Sequence, residues 1–351
     1  MDVYIDDHKL IEEINKLHYR QFLEVHISPD DKDILVVFGS SDVPEPNYAF
    51  DEYNRSIWKY SLASKSWIQM TSPEEDSSKV AWCPLGLKIA FVYLNNGQKE
   101  LGIMNRDGSD RRILTQSTFG GRDPFNGTTL CWSPNSQHLA YVVMPNGSKY
   151  GLAKKMKEKY RNPDDITIYK GGDDLYKKMR LELSVFESEL HLIDVNTLED
   201  RKVLSVKEKM IKLEQWFPEG NSLLISIGDE LCRLNLDNGQ CTSLYKGRIE
   251  LTQMIGSEIL MARRAANEIQ AGKITDGEFQ IENAVHSPGY NNQLHTWSND
   301  GKYIVFSAQN GVTNALYTFS RANSQVNQIT PINHAVWSPR HRAGAKSFHY
   351  S

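Results

Sequence analysis

Short apolar runs recur along the chain, and a tryptophan followed by a tight polar turn precedes most of them. Ala81-Trp82-Cys83-Pro84 leads into Lys88–Tyr93, and Cys131-Trp132-Ser133-Pro134-Asn135 leads into His138–Val143. Gln215-Trp216-Phe217-Pro218-Glu219-Gly220 leads into Ser222–Ile227, and Thr296-Trp297-Ser298-Asn299-Asp300-Gly301 into Lys302–Ser307. A worn first copy, His26-Ile27-Ser28-Pro29-Asp30, precedes Asp33–Phe38; a last copy, Ala335-Val336-Trp337-Ser338-Pro339, has no such run after it. Continuous apolar runs of this length, bounded by turn residues, predict strands covered on both faces. Their recurrence predicts a modular array.

The spacing sets the unit. Trp82 to Trp132 is 50 residues, Trp297 to Trp337 is 40, and Trp216 to Trp297 is 81. The last gap holds a degenerate copy, Thr252–Met261, with Ile255 in the place of the tryptophan. The 84-residue gap from Trp132 to Trp216 holds an insertion instead, at about 144–183, within which 150–160 reads as an amphipathic helix. Later strands follow in each unit: Ser56–Leu62, Leu101–Met104, Glu189–Asp194, Glu230–Asn235 and Ala315–Phe319, each succeeded by a polar turn and a short outer strand. Asp107-Gly108, Asn238-Gly239, Asp276-Gly277 and Asp300-Gly301 are hairpin dipeptides, which favour primed turns. Four short antiparallel strands per unit describe an all-β protein, a β-propeller of four-stranded blades. Blades starting near 20, 78, 128, 211, 250 and 292 make six the favoured count, with seven as the alternative if 332–351 begins another. Residues 1–19 read as a segment with a short N-terminal helix, and 20–351 as one propeller domain. Trp82, Trp132, Trp216, Trp297 and Trp337 hold a fixed place in the repeat, which assigns them to the wedges between blades rather than to a sugar-stacking surface.

Composition narrows the function classes. The 351 residues carry a net charge of −4, which offers no electrostatic case for nucleic acid or an anionic membrane. No apolar run approaches a membrane span, and the acidic N-terminus lacks a signal-peptide pattern, so a cytoplasmic protein is expected. Cys83, Cys131, Cys232 and Cys241 lack metal-ligand spacing and read as free thiols.

The phrase Trp-Ser-Pro-Asn/Asp followed by a strand resembles the TolB-type, WD-like propeller repeat. It is similar to the N-terminal propellers of the prolyl oligopeptidase family, including acylaminoacyl peptidases, over most of the chain. Ala345–Ser351 is similar to the strand by which such propellers enter their hydrolase domain. The family's catalytic part needs a Gly-x-Ser-x-Gly elbow with a later Asp and His, and no Gly-x-Ser step here completes one. The resemblance therefore implies a fold and carries over no catalytic residue.

Candidate binding residues follow from position. His26, His295 and His334 stand at or just before repeat turns, at the ends of inner strands that ring a channel mouth. Each reads either as a ligand contact or as a hydrogen-bonded histidine of a blade turn. Gly120–Gly127 is a glycine-rich segment entering an inner strand, where Arg122 suits a carboxylate or phosphate and Phe125 an apolar contact, unless Arg122 pairs with an acidic neighbour. There is no Walker loop, no dinucleotide fingerprint, no HExxH and no Cys/His metal cluster, so no cofactor and no metal are expected. Two functions stand. One is a non-catalytic scaffold for a protein or peptide partner, or a small molecule. The alternative is the N-terminal, substrate-gating propeller of a prolyl oligopeptidase-type serine peptidase whose catalytic domain is absent from this chain.

Overall fold

A computed structural model describes residues 20–40, 54–95, 98–115, 130–143, 187–207, 209–310 and 313–330. They form six four-stranded antiparallel sheets arranged as a propeller. The first blade is β1 (Arg20–Ile27), β2 (Asp33–Ser40), β3 (Asn54–Ser61) and β4 (Ser66–Gln69). The second is β5 (Ser78–Trp82), β6 (Lys88–Asn95), β7 (Gln98–Asn105) and β8 (Arg112–Thr115). The third is β9 (Leu130–Trp132), β10 (His138–Val143), β11 (Glu187–Asp194) and β12 (Asp200–Lys207). The fourth is β13 (Ile211–Trp216), β14 (Ser222–Ile227), β15 (Glu230–Asn235) and β16 (Cys241–Lys246). The fifth is β17 (Leu251–Ile255), β18 (Glu258–Ala265), β19 (Glu268–Thr275) and β20 (Glu278–His286). The sixth is β21 (Tyr290–Trp297), β22 (Tyr303–Asn310), β23 (Thr313–Ser320) and β24 (Val326–Gln328). In the third blade β10 pairs directly with β11, from His138 opposite Asp194 to Val143 opposite Glu189, so residues 144–186 interrupt one hairpin without breaking the sheet. The expected helices at the N-terminus and at 150–160, the end of the chain and Trp337 lie outside the described residues.

The core is a set of seams between sheets. Leu35, Val37 and Ile57 of the first blade pack with Val80, Trp82 and Ile89 of the second. Ala90, Val92 and Leu101 of the second pack with Trp132, Tyr141 and Ile193 of the third. Trp82, Trp132, Trp216 and Trp297 are 7%, 6%, 5% and 3% exposed, which places all four indoles in the seams. A flat ring at the inner end of a blade fills the space left where two twisted sheets diverge.

Strand order fixes two faces. Innermost strands β1, β5, β9, β13, β17 and β21 contact one another in succession around the axis. Each runs toward the repeat turn, so the first-to-second and third-to-fourth connections of every blade share one face, here the turn face. Second-to-third connections and the links between blades leave from the opposite, loop face.

Loop length decides the turn type, and only part of the primed-turn expectation holds. At Asp276-Gly277, between β19 and β20, two residues join the strands and both have positive φ, 53° and 82°. At Asp107-Gly108, Asn238-Gly239 and Asp300-Gly301 only the glycine of the pair does, because these loops are longer than two residues.

Candidate functional site

The repeat turns are built by a serine and an acid or amide two residues on. Ser28 Oγ donates to Asp30 Oδ1, Ser133 Oγ to Asn135 Oδ1 and Ser298 Oγ to Asp300 Oδ1, all at 2.7 Å. The same hydroxyls accept the amides of Asp33, His138 and Tyr303 at 2.9 Å, which locks the start of each second strand. The Ser298 hydroxyl and the adjacent Lys302 hold the Asp300 carboxyl at about 2.

His26 and His295 both lie near the turn-face ends of inner strands, and the structure gives each a hydrogen-bonded place. His26 Nε2 is 3.3 Å from Glu24 Oε2. Glu24 reaches across to the second blade, where its carboxylate accepts the amides of Lys79 at 2.9 Å and Val80 at 3.1 Å. Those two amides are free because β5 bulges between Ser78 and Ala81 and leaves the β6 ladder there. Burial pulls the Glu24 carboxyl up, but His26 and the Lys79 charge and amide outweigh it and hold it at about 2. His295 sits at a bulge of β21 and pairs with Ser307 Oγ of β22 at 3.0 Å. Glu214, two residues before Trp216 as His295 is before Trp297, sits at the matching bulge of β13. It accepts from Ser226 Oγ at 2.8 Å, from Thr252 Oγ1 of the next blade at 3.0 Å and from Lys212 Nζ at 2.6 Å.

Arg122, Phe125 and His334 lie outside the described residues. The strand ends that flank segment 116–129, Thr115 and Leu130, are on the loop face, whereas His26 and His295 are toward the turn face. The described strands thus bring the two histidines to one end of the inner wall and the limits of the arginine segment to the other.

One cluster escaped the sequence. On the third blade His191 lies between two carboxylates, with Nε2 3.3 Å from Glu189 Oε2 and Nδ1 3.4 Å from Asp200 Oδ1. Tyr141 stacks on the imidazole at 5.3 Å between centroids and donates its hydroxyl to Asp200 Oδ2 at 2.6 Å. Lys202 Nζ completes the group on Glu189 Oε1 at 2.8 Å. Burial works against a charged imidazole, yet the bonds to Asp200 and Glu189 prevail and raise its pKa. The two carboxyls are held below their usual range by the same contacts, against burial. Pairing across β11 and β12 follows from register, His191 being opposite Lys202, and no local motif announces it. Among the described residues no group of three or more His, Cys, Asp or Glu is arranged to hold a metal ion.

This architecture defines a six-bladed β-propeller with a hydrogen-bonded inner wall. No protein-family model matches the chain. A 60-residue stretch is 42% identical to the Tol-Pal system protein TolB of Gluconobacter oxydans, covering 17% of this chain and 12% of that protein. The oligogalacturonate lyase of Vibrio parahaemolyticus superposes with a TM-score of 0.57 at 12% identity, over 89% of this chain and 77% of the lyase. The acylaminoacyl peptidase of Pyrococcus horikoshii superposes with a TM-score of 0.54 at 13% identity, over 90% of this chain and 46% of the peptidase. The chain thus spans about half of the peptidase and a small part of the curated relative. The TolB-like, peptidase-propeller-like fold expected from the repeat is the fold found.

Proposed function

We propose that the chain is a non-catalytic, TolB-like binding scaffold, a rigid ring that holds loops in place for a protein or peptide partner, or a small ligand, in the cytoplasm. The observation that carries this is how the ionisable side chains of the inner wall are occupied. Glu24 ties the first blade to two amides of the second, Glu214 ties the fourth to Thr252 of the fifth, and His295 ties β21 to β22. Groups engaged in holding neighbouring strands together make a stiff frame, and function then falls to the surfaces the frame carries. The test is affinity capture from the native cytoplasm, followed by calorimetric titration of the purified captured protein. Saturable binding supports a scaffold. Absence of any saturable partner overturns it.

The gating alternative has one observation in its favour. β1 starts and β24 ends on the same face, the loop face, so a second domain joined through both ends of the propeller would cover that mouth. Sequencing the adjoining coding region tests it: a Gly-x-Ser-x-Gly hydrolase there supports gating, and an unrelated neighbour counts against it.

A further inference from the structure

The blades act as internal controls on one another, because strand register fixes which residues occupy the same place in each. Opposite the residue that precedes the indole position stand Leu35, Ala90, Ala140 and Leu224 in the first four blades. Two residues further along the second strand, the third strand supplies Ile57, Leu101, Leu190 and Leu231. All eight are 0% exposed, and each pair packs on the blade that follows. In the sixth blade the same two places are held by Val305, opposite Thr296, and by Leu316, opposite Ser307. Both are only half-buried.

The first blade departs on the side that faces the sixth. Opposite the indole position itself, Ile89, Leu139, Leu223 and Ile304 are 0% exposed and pack on the preceding blade. The matching residue of the first blade is Ile34, opposite Ile27, and it is half-buried. Ile27 stands where four other blades carry tryptophan, so the first blade brings no indole to its seam with the sixth. The fifth blade also lacks one, but there Met254 and Met261 pack with Leu224 and Leu231 of the fourth. Among the described residues, apolar clusters span the other five seams, and none of them joins the sixth blade to the first. A blade cannot bury its apolar face alone, so Val305 and Leu316 call for a further repeat element beside them.

The chain holds one more copy of the phrase, Ala335-Val336-Trp337-Ser338-Pro339. Nine residues separate the end of β12 from Trp216, the end of β16 from Ile255 and the end of β24 from Trp337. The link thus has the length that brings the next inner strand into place, and β24 ends on the loop face, where every inner strand begins. The residues just past β24 are already bonded to the half-buried site. The Ile329 amide donates to the Leu316 carbonyl at 2.8 Å, and the Leu316 amide to Thr330 Oγ1 at 2.9 Å.

We propose that residues 332–337 dock beside the sixth blade as a seventh inner strand, with the Trp337 ring covering Val305 and Leu316 at the seam with the first blade. Trp82, Trp132 and Trp216 each donate Nε1–H to the carbonyl before the indole position of the preceding blade. The same rule assigns the Trp337 indole to the carbonyl of Thr296.

The test places a photo-crosslinking p-benzoylphenylalanine at Leu316 of the full chain, and in a second variant at Tyr303, an exposed residue on the same face of β22 as Val305. Thermal melts verify folding. Isotope-labelled and unlabelled chains are mixed before illumination, so that mass spectrometry separates links within a chain from links between copies. The expected adduct joins the probe to the peptide containing Trp337 of the same chain. In wild type labelled with 15N-tryptophan, the Trp337 signal is assigned by its loss in Trp337→Phe. Its indole N–H should exchange with solvent at least about tenfold more slowly than a free indole. Adducts confined to residues 1–19, to the first blade or to a second copy overturn the proposal, as does exchange at the free rate. The exchange measurement uses the unsubstituted seam and decides alone if neither probe variant folds.

Discussion

The Trp216 indole donates Nε1–H to the carbonyl oxygen of Cys131 at 2.9 Å, from the inner end of the fourth blade to the inner strand of the third. Trp132 makes the same bond to Ala81 at 3.1 Å and Trp82 to His26 at 3.3 Å, each to the residue just before the equivalent position of the preceding blade. At the seam between the fifth and sixth blades the pattern changes. The carbonyl that Trp297 would reach is that of Met254, and it accepts Gln215 Nε2 at 3.3 Å instead. Trp297 Nε1 is buried and has no partner among the described residues.

That difference separates two otherwise similar substitutions. Trp216→Phe removes the indole bond to the Cys131 carbonyl, which adds about 1 kcal/mol to the packing loss. Trp297→Phe loses packing alone. Urea unfolding should therefore show the Trp216 variant less stable than the Trp297 variant by roughly 1 kcal/mol or more. Equal midpoints would show that the indole bond contributes nothing.

Glu24 predicts a response to acid. Its folded pKa of about 2 lies below the ordinary glutamate value, so its contribution is present above that ordinary value and is lost as pH falls toward 2. Wild type should lose stability more steeply than Glu24→Gln between about pH 4.5 and 2, by at most about 3 kcal/mol. Parallel stability curves in this window would contradict the assigned bonds to Lys79 and Val80.

The His191 cluster predicts a response on the other side of neutrality. A raised imidazole pKa contributes stability that is complete below the ordinary histidine value and disappears as pH rises through the folded one. Its partners Glu189 and Asp200 have lowered values and contribute until pH falls through the carboxylate range. Wild type should thus be most favoured over His191→Gln in mildly acidic solution, and the gap should shrink as pH rises through the raised imidazole pKa. A gap that widens with alkaline pH would mean that the imidazole is held neutral.

The turn of the second blade predicts a gain. Cys83→Ser with Leu85→Asp recreates the bonding seen at Ser28 and Asp30, where the hydroxyl also accepts the Asp33 amide. The pair should raise stability by about 1 kcal/mol in thermal or urea unfolding. A loss would mean that the leucines are needed by the isolated fold.

Much of this was legible before any coordinates. Trp82, Trp132, Trp216 and Trp297 marked blades because one physical task, filling the seam, demands the same large ring at the same place. Ile255 could be found only by spacing, and its blade is stitched differently, with Gln215 Oε1 accepting the Met254 amide at 2.9 Å. The bonding of Glu24 and of His191 was not legible. Lys79 is 55 residues from Glu24, and Tyr141 is far in sequence from Asp200, so only the packing of neighbouring blades and strand register bring them together. Bulges at Glu214 and His295 shift side chains off the alternating pattern, which hides their direction from any period-two reading.

The decisive measurement is turnover by purified chain against an acyl ester, a peptidyl amide and an oligogalacturonate. A scaffold gives rates equal to buffer for all three while the same sample still binds its partner. Turnover that persists through repeated purification and disappears on substitution of a residue of this chain would contradict it.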